Sequence, residues 1–353
     1  MIRVLTVDDS PTARQIISDI LSSDPQIEVV GLAKNGSEAV ERTKELRPDL
    51  VTMDVHMPRM NGFEATKEIM IESPTPIVIV SASTLVHEVA AGMQALKAGA
   101  LTLLLKPPGP GSPDFDRAAN ELIETVKAMA DVKVVRHRRR SETTVTAPTK
   151  QPELAKRIST AFRVVAIAAS TGGPPALSCV LGSLPQDFPV PIVLVQHIAS
   201  GFDVGFARWL DSVVPLSVKI SQDGEYLKPG VVYVAGQDHH LGVTQGGRIA
   251  LSDDPPVGGF RPAATSLFDS VAQAFGENVI AMILTGMGRD GVEGLRSVKQ
   301  AGGISIAQDE ATSVVYGMPG VAVKEGLAGA VLPIEQMSKH LLHLVTRDSK
   351  RTK

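Results

Sequence analysis

The sequence predicts an α/β protein with two parallel-sheet domains. A doubly wound five-stranded domain is expected over residues 1–125. A larger α/β domain, with a mostly parallel sheet and a β-hairpin insertion, is expected over 163–347. Three observations carry this. Short β-rich runs alternate with helix-period patterns through the first 125 residues, the alternation resumes at Arg163, and the stretch between them, 126–162, is polar and basic. A short tail, 348–353, closes the chain.

In the first domain the strand runs are Ile2–Val7, Ile27–Leu32, Leu50–Val55, Ile77–Val80 and Leu101–Leu105. Ser10-Pro11 reads as a helix cap followed by proline at the first helical position, and Ile16, Ile17, Ile20 and Leu21 then repeat at helix spacing. Strands this uniformly apolar, each followed by a helix, imply a sheet covered on both faces, with ligand sites at the carboxyl ends of its strands. The linker holds Lys133, Arg136, Arg138, Arg139 and Arg140, then a Ser/Thr/Lys-rich stretch from Ser141 to Gln151. In the second domain Val164–Ala169, Ile192–Val195, Val218–Ile220, Val279–Leu284, Ile304–Ala307 and Ala330–Leu332 read as strands. Tyr226–Asp253 reads as hairpins, with β-runs at Val231–Val234 and Ile249–Leu251 and a turn at Gly246-Gly247.

Composition excludes several classes. Of 353 residues 43% are hydrophobic, enough for large cores without staples. The one cysteine, Cys179, rules out an internal disulfide framework and a cysteine-rich zinc site, and on its apolar helix it reads as a core residue. A net charge of −3 argues against a nucleic-acid partner held by global basic charge. With no apolar run of about 20 residues and two acids where a signal peptide needs apolar residues, a soluble, cytoplasmic protein without membrane insertion is expected.

Two sets of polar residues fall at strand ends. Asp8 and Asp9 follow the first strand and Asp54 ends the third, its neighbour in a doubly wound sheet. Three converging carboxylates repel one another and call for a cation, and hard oxygen ligands suit Mg²⁺. Ser81 ends the fourth strand and Lys106 the fifth. Together they can hold a phosphoryl group, with Asp54 as its acceptor.

In the second domain Ser170 enters the turn Thr171-Gly172-Gly173-Pro174-Pro175. That turn alone admits three readings: an exposed nucleophile, a phosphate-binding loop or a plain structural turn. His197 ends the next strand, and Asp290 lies in the glycine-flanked loop after Leu284. Nucleophile, base and orienting carboxylate on one rim favour acyl transfer. A backbone N–H of the Gly286–Gly288 stretch, that of Met287, would serve the oxyanion.

The motifs Val7-Asp8-Asp9-Ser10, Met53-Asp54-Val55-His56-Met57-Pro58, Ser81-Ala82 and Lys106-Pro107 resemble a response-regulator receiver domain. The resemblance implies phosphotransfer to Asp54 from a chemotaxis histidine kinase. It also implies Mg²⁺ at Asp9, Asp54 and the His56 carbonyl, Asp8 acting through the metal's water, and Ser81 as the switch hydroxyl. The fifth-strand region Ala100–Leu104 lacks the aromatic switch residue such domains use.

Residues 163–345 resemble chemotaxis protein-glutamate methylesterases, through Ala169–Pro174, Val195-Gln196-His197, Lys228–Gly236, Asp238-His239-His240, Leu284–Gly291 and Gly317-Met318-Pro319. This implies a Ser170–His197–Asp290 triad, with Thr171 and Met287 near the oxyanion. The implied substrates are glutamate methyl esters, and also glutamines, of methyl-accepting chemoreceptors. Phe260-Arg261-Pro262-Ala263 departs from the family's usual His-Arg-Pro-Ser. The expected protein is a monomeric, phosphorylation-gated esterase, with no cofactor at the ester site. The rival readings are a DNA-binding response regulator and a non-catalytic scaffold. Repeated βα units weigh against the first, and intact Ser170, His197 and Asp290 against the second.

Overall fold

The computed structural model describes residues 1–81, 86–132, 134, 163–199 and 201–347. The basic run from Lys133 to Arg140 (Val134 apart), the rest of the expected linker and the 348–353 tail lie outside the described residues. The chain divides into two compact units, Met1–Thr144 and Val145–Lys353.

The first unit contains β1 (Ile2–Val7), α1 (Pro11–Ser22), β2 (Ile27–Ala33), α2 (Gly36–Leu46), β3 (Leu50–Met53), α3 (Gly62–Glu72), β4 (Ile77–Ser81), α4 (Val86–Lys97), β5 (Thr102–Leu105) and α5 (Phe115–Ala130). Its strands are all parallel, in the order β2-β1-β3-β4-β5. Every residue of β3 and β4 is buried, as two-sided coverage requires. Helix α1 begins as its sequence dictates: the Ser10 hydroxyl accepts from the Ala13 N–H, and Pro11 fills the first helical position. Helix α5 turns Leu122, Val126 and Met129 inward, so its apolar face carries it past residue 125, where the first domain was expected to end. The chain leaves β1 toward β2 on one side, and β3 lies on the other. The crevice of a doubly wound sheet opens at that reversal.

The second unit contains β6 (Val164–Ala169), α6 (Gly173–Gly182), β7 (Ile192–Gln196), α7 (Asp203–Val213), β8 (Ser217–Ile220), β9 (Val231–Val234), β10 (His240–Val243), β11 (Ile249–Ser252), α8 (Ala264–Phe275), β12 (Val279–Ile283), α9 (Val292–Gln300), β13 (Ile304–Gln308), α10 (Met318–Lys324), β14 (Ala330–Leu332) and α11 (Ile334–Arg347). Seven strands form a wholly parallel sheet, in the order β14-β13-β12-β6-β7-β9-β8. Burial is complete on the central strands β12, β6 and β7 and falls away at the edges β14 and β8.

The structure corrects one expectation here. Val231–Val234 does not belong to a hairpin. It is β9, parallel to both β7 and β8, because three of its four residues are buried and can be covered only inside a sheet. The hairpin insertion is β10–β11, antiparallel, closed at Gly246-Gly247 with Gly247 at φ 77°. It packs on α8, where the Ser270 hydroxyl accepts from the Val243 N–H at 2.8 Å. Helix α8 sends Leu267, Phe268 and Val271 into the core shared with β6 and β12. Each such burial contributes about 1.5–3 kcal/mol. Trp209 packs beside Phe206, whereas Cys179 is only half-buried on α6. Among the described residues no helix is long and apolar enough to cross a membrane.

Candidate active sites

The first site stands at the reversal between β1 and β3. Asp8 and Asp54 are buried there and Asp9 is exposed, and the three offer carboxylate oxygens within 4.8 Å of one another. The Asp54 N–H donates to the Val7 carbonyl, which ties the two strand ends together. Lys106 reaches in from the end of β5, its Nζ 2.7 Å from Asp8 Oδ2 and 3.1 Å from Asp54 Oδ2. Burial pushes the Asp54 carboxyl above its usual range. Lys106 opposes that shift, and the Asp8 charge adds to it. Burial acts to lower Lys106, but its hydrogen bond to Asp8 and the charges of Asp54 and Asp8 outweigh it and hold the ammonium above its ordinary value. Ser81 is fully buried at the end of β4, with no hydrogen-bond partner for its hydroxyl. His56 is exposed, and the cluster of side-chain ligand atoms holds the three aspartates without it.

Three carboxylates against one ammonium leave an uncompensated negative charge, and the buried Asp8 Oδ2 has only the Lys106 ammonium against it. The residues present therefore fit a hard divalent cation. Gly62 is required beside them, since a Cβ there would lie 2.0 Å from the Asp54 carbonyl oxygen.

The second site stands at the reversal of the larger sheet. Ser170 follows β6, His197 follows β7 and Asp290 lies in the loop after β12, and these are the three central, adjacent strands. The Ser170 N–H donates to the Thr285 carbonyl, and its own carbonyl accepts from Gly173. Gly172 turns the chain into α6 at φ 75°. A Cβ on Gly173 would strike Gln196 Oε1 at 1.9 Å, so the turn needs its glycine.

Asp290 is held as tightly. Its carboxylate accepts from the N–H groups of Ala264, Thr265 and Gly291, and so supplies the cap that Ala263 cannot give to α8. Its Oδ2 lies 2.9 Å from His197 Nε2, at ion-pair distance but short of a well-aligned hydrogen bond. Burial acts to raise the Asp290 carboxyl. The close approach and charge of His197, with the N–H groups of Ala264 and Thr265, outweigh it and hold the carboxyl below the usual range. His197 Nδ1 is buried without a hydrogen-bond partner, so the Ser170 hydroxyl is not bonded to it in this resting state. Apo sites commonly tighten only around substrate.

The loop carrying Met287 is pinned by Gly286, whose N–H donates to the Val315 carbonyl and whose carbonyl accepts from Met318. Met287 is exposed, and among the described residues its N–H donates to no group. A Cβ on Gly286 would lie 2.7 Å from Ser170 Cβ and 2.4 Å from Met318 Sδ. Gly286→Ala is expected to cost about 1–3 kcal/mol of stability and to lower turnover at this site at least tenfold, as overpacking displaces Ser170. Thermal melts and turnover measured side by side check this.

The family described as CheB methylesterase matches residues 165–341, and the response regulator receiver domain matches residues 4–112. A protein-glutamate methylesterase/protein-glutamine glutaminase of Myxococcus xanthus is 53% identical over 96% of this chain and 96% of its own length. The chain belongs to the CheB methylesterase family. A second CheB-type relative, from Anaeromyxobacter dehalogenans, is 51% identical over 97% of this chain and 98% of its own. The solved CheB methylesterase catalytic domain of Thermotoga maritima is 43% identical. It covers 52% of this chain and 99% of its own length, with a TM-score of 0.51.

Within this CheB fold, sequence reasoning missed two positioning residues. Gln196 donates from Nε2 to both the Ser170 and the His197 carbonyls, joining the two loops. Gln308 accepts the Thr285 N–H and donates to the Thr312 carbonyl. The signal was present. Both β7 and β13 are buried apolar strands that end in glutamine, and a buried amide must find partners.

Proposed function

We propose that the protein hydrolyses glutamate methyl esters, and deamidates glutamines, on methyl-accepting chemoreceptors, and that phosphorylation of Asp54 switches this activity on. The observation that carries the reading is the meeting of Ser170, His197 and Asp290 at three adjacent strand ends, in a chain whose near-full-length relatives are named for both activities.

Ser170 Oγ attacks the ester carbonyl carbon as its proton passes to His197. Asp290 faces Nε2, so Nδ1 is the nitrogen that takes it. Asp290 stabilises the imidazolium, and the N–H groups of Met287 and Thr171 receive the oxyanion. Collapse expels methanol with the proton from His197. Water, deprotonated by His197, then attacks the acyl carbon, Ser170 Oγ leaves with that proton from His197, and the receptor keeps a glutamate side chain. With a glutamine side chain the leaving group is ammonia.

In the receiver, Asp54 accepts the phosphoryl group from a histidine kinase. Lys106 and Ser81 would bind its oxygens, and Ser81, whose hydroxyl has no competing partner, would move toward it. Mg²⁺ held by Asp9, Asp54 and the His56 carbonyl, with Asp8 behind its water, would neutralise phosphoryl charge. The protein is taken to work as a cytoplasmic monomer.

The test is methanol release from methylated receptor fragments, before and after loading Asp54 with a small acyl phosphate and Mg²⁺. Release is expected to rise at least tenfold on loading and to stay at the basal rate in Asp54→Asn. No release under either condition refutes the esterase reading, and an unchanged rate refutes the gating.

A further inference from the structure

One contact of the ester site has no part in the chemistry above. The Phe260 ring lies flat on the His197 imidazole, with centroids 4.1 Å apart and planes 3° from parallel. Phe260 belongs to neither strand nor helix, and it stands where the sequence departs from the family's usual histidine. An aromatic side chain on a loose loop would fix nothing, so the question is what holds the loop.

The loop is built as a hairpin with a fastened stem. Val257 and Phe260 exchange backbone hydrogen bonds of 3.0 and 3.1 Å across Gly258-Gly259, both at positive φ, a tight two-residue turn. Arg261 reaches back to donate to the carbonyls of Asp253 and Asp254. His240 bridges the two arms. Its Nδ1 accepts the Ala263 N–H, which leaves Nε2 to donate to the Pro255 carbonyl. One residue beyond Ala263, the Ala264 N–H binds Asp290. The segment that carries Phe260 is therefore anchored to the carboxylate that faces the other edge of His197.

We propose that Phe260 is a positioning residue of the ester site. Its stacked ring closes one face of the His197 imidazole and, with Asp290 at Nε2, keeps Nδ1 aimed at the Ser170 hydroxyl. This rests on the triad reading of Ser170, His197 and Asp290. Among the described residues no hydrogen bond stops the imidazole tipping about the Asp290 edge: Nδ1 has no hydrogen-bond partner, and the 2.9 Å approach of Nε2 to Asp290 is poorly aligned. A flat ring restrains such tipping, whereas an aliphatic side chain of similar bulk does not. Phe260 is also 39% exposed at a hairpin tip, so its replacement leaves the core untouched.

The experiment compares the full chain with Phe260→Leu and Phe260→Tyr in steady-state hydrolysis of a small methyl ester, with circular dichroism to verify the fold. Phe260→Leu is expected to lower kcat about 3- to 10-fold with KM unchanged, and Phe260→Tyr to restore it. Three results overturn the assignment: kcat unchanged in Phe260→Leu, a rise in KM alone (which makes the ring a substrate contact), or no rescue by tyrosine. Ser170→Ala is run beside them. If it remains active, the triad reading falls and the Phe260 assignment with it. If it is inactive while Phe260→Leu turns over at the parent rate, the Phe260 assignment alone falls.

Discussion

Ser170→Ala is expected to reduce ester hydrolysis by about 10⁴-fold or more, to the residual level that substrate binding and oxyanion donors sustain. The fold should hardly notice. Ser170 is fixed through its main chain, by the bond to the Thr285 carbonyl and by those from Gly173 and Gln196, and an alanine keeps all three. Stability should stay within about 0.5 kcal/mol. Asp54 lies in the other compact unit, so its phosphorylation stoichiometry should be that of the parent. Methanol release, phosphoryl incorporation and a thermal melt on one preparation check all three. Activity within tenfold of the parent would remove Ser170 from the nucleophile's role.

Replacing Asp290 should be costly twice over. Asp290→Asn is expected to lower turnover by about 10⁴-fold, since an amide neither fixes the imidazole tautomer nor stabilises its charged form. Asp290→Ala should in addition destabilise the unit by about 3–5 kcal/mol, because three backbone N–H groups at and around the start of α8 lose their acceptor. The pH dependence has a definite sign. The folded protein holds the Asp290 carboxyl below its unfolded value, so its contribution is complete above about pH 4 and is lost as pH falls through the folded value. The stability gap between parent and Asp290→Asn should therefore be level from neutrality to about pH 4 and narrow below it. Denaturant titrations across that range test this, and a gap that widens on acidification contradicts it. Asp54 has the opposite sign, since burial raises it.

What could be read from sequence was what strand ends reveal. Runs such as Val164–Ala169 and Ile192–Val195 are apolar because both faces are covered, so the polar residues that close or follow each mark the rim. Asp8, Asp54, Ser81, Lys106, Ser170 and His197 all stand out this way. What could not be read was which strands would be neighbours. The alternation of βα units does not say that β12 lies against β6, which joins segments far apart in the chain, or that β9 slots between β7 and β8, which departs from chain order. Asp290 joins Ser170 and His197 only through that pairing. The Phe260 stack was invisible for the same reason. It depends on a hairpin, a histidine of β10 and a helix start meeting in space. The long α5 is different: the apolar spacing of Leu122, Val126 and Met129 is legible in the sequence.

The central place of β6 also sets a timetable. A ribosome delivers Ser170 and His197 early, with β6 and β7 already able to pair, but the other edge of β6 stays bare until β12 emerges. Nascent chains wait in that state with an unpaired strand beside the serine, and Asp290 arrives only with the strand that covers it. One stretch of chain therefore brings both the strand that covers β6 and the carboxylate that faces His197.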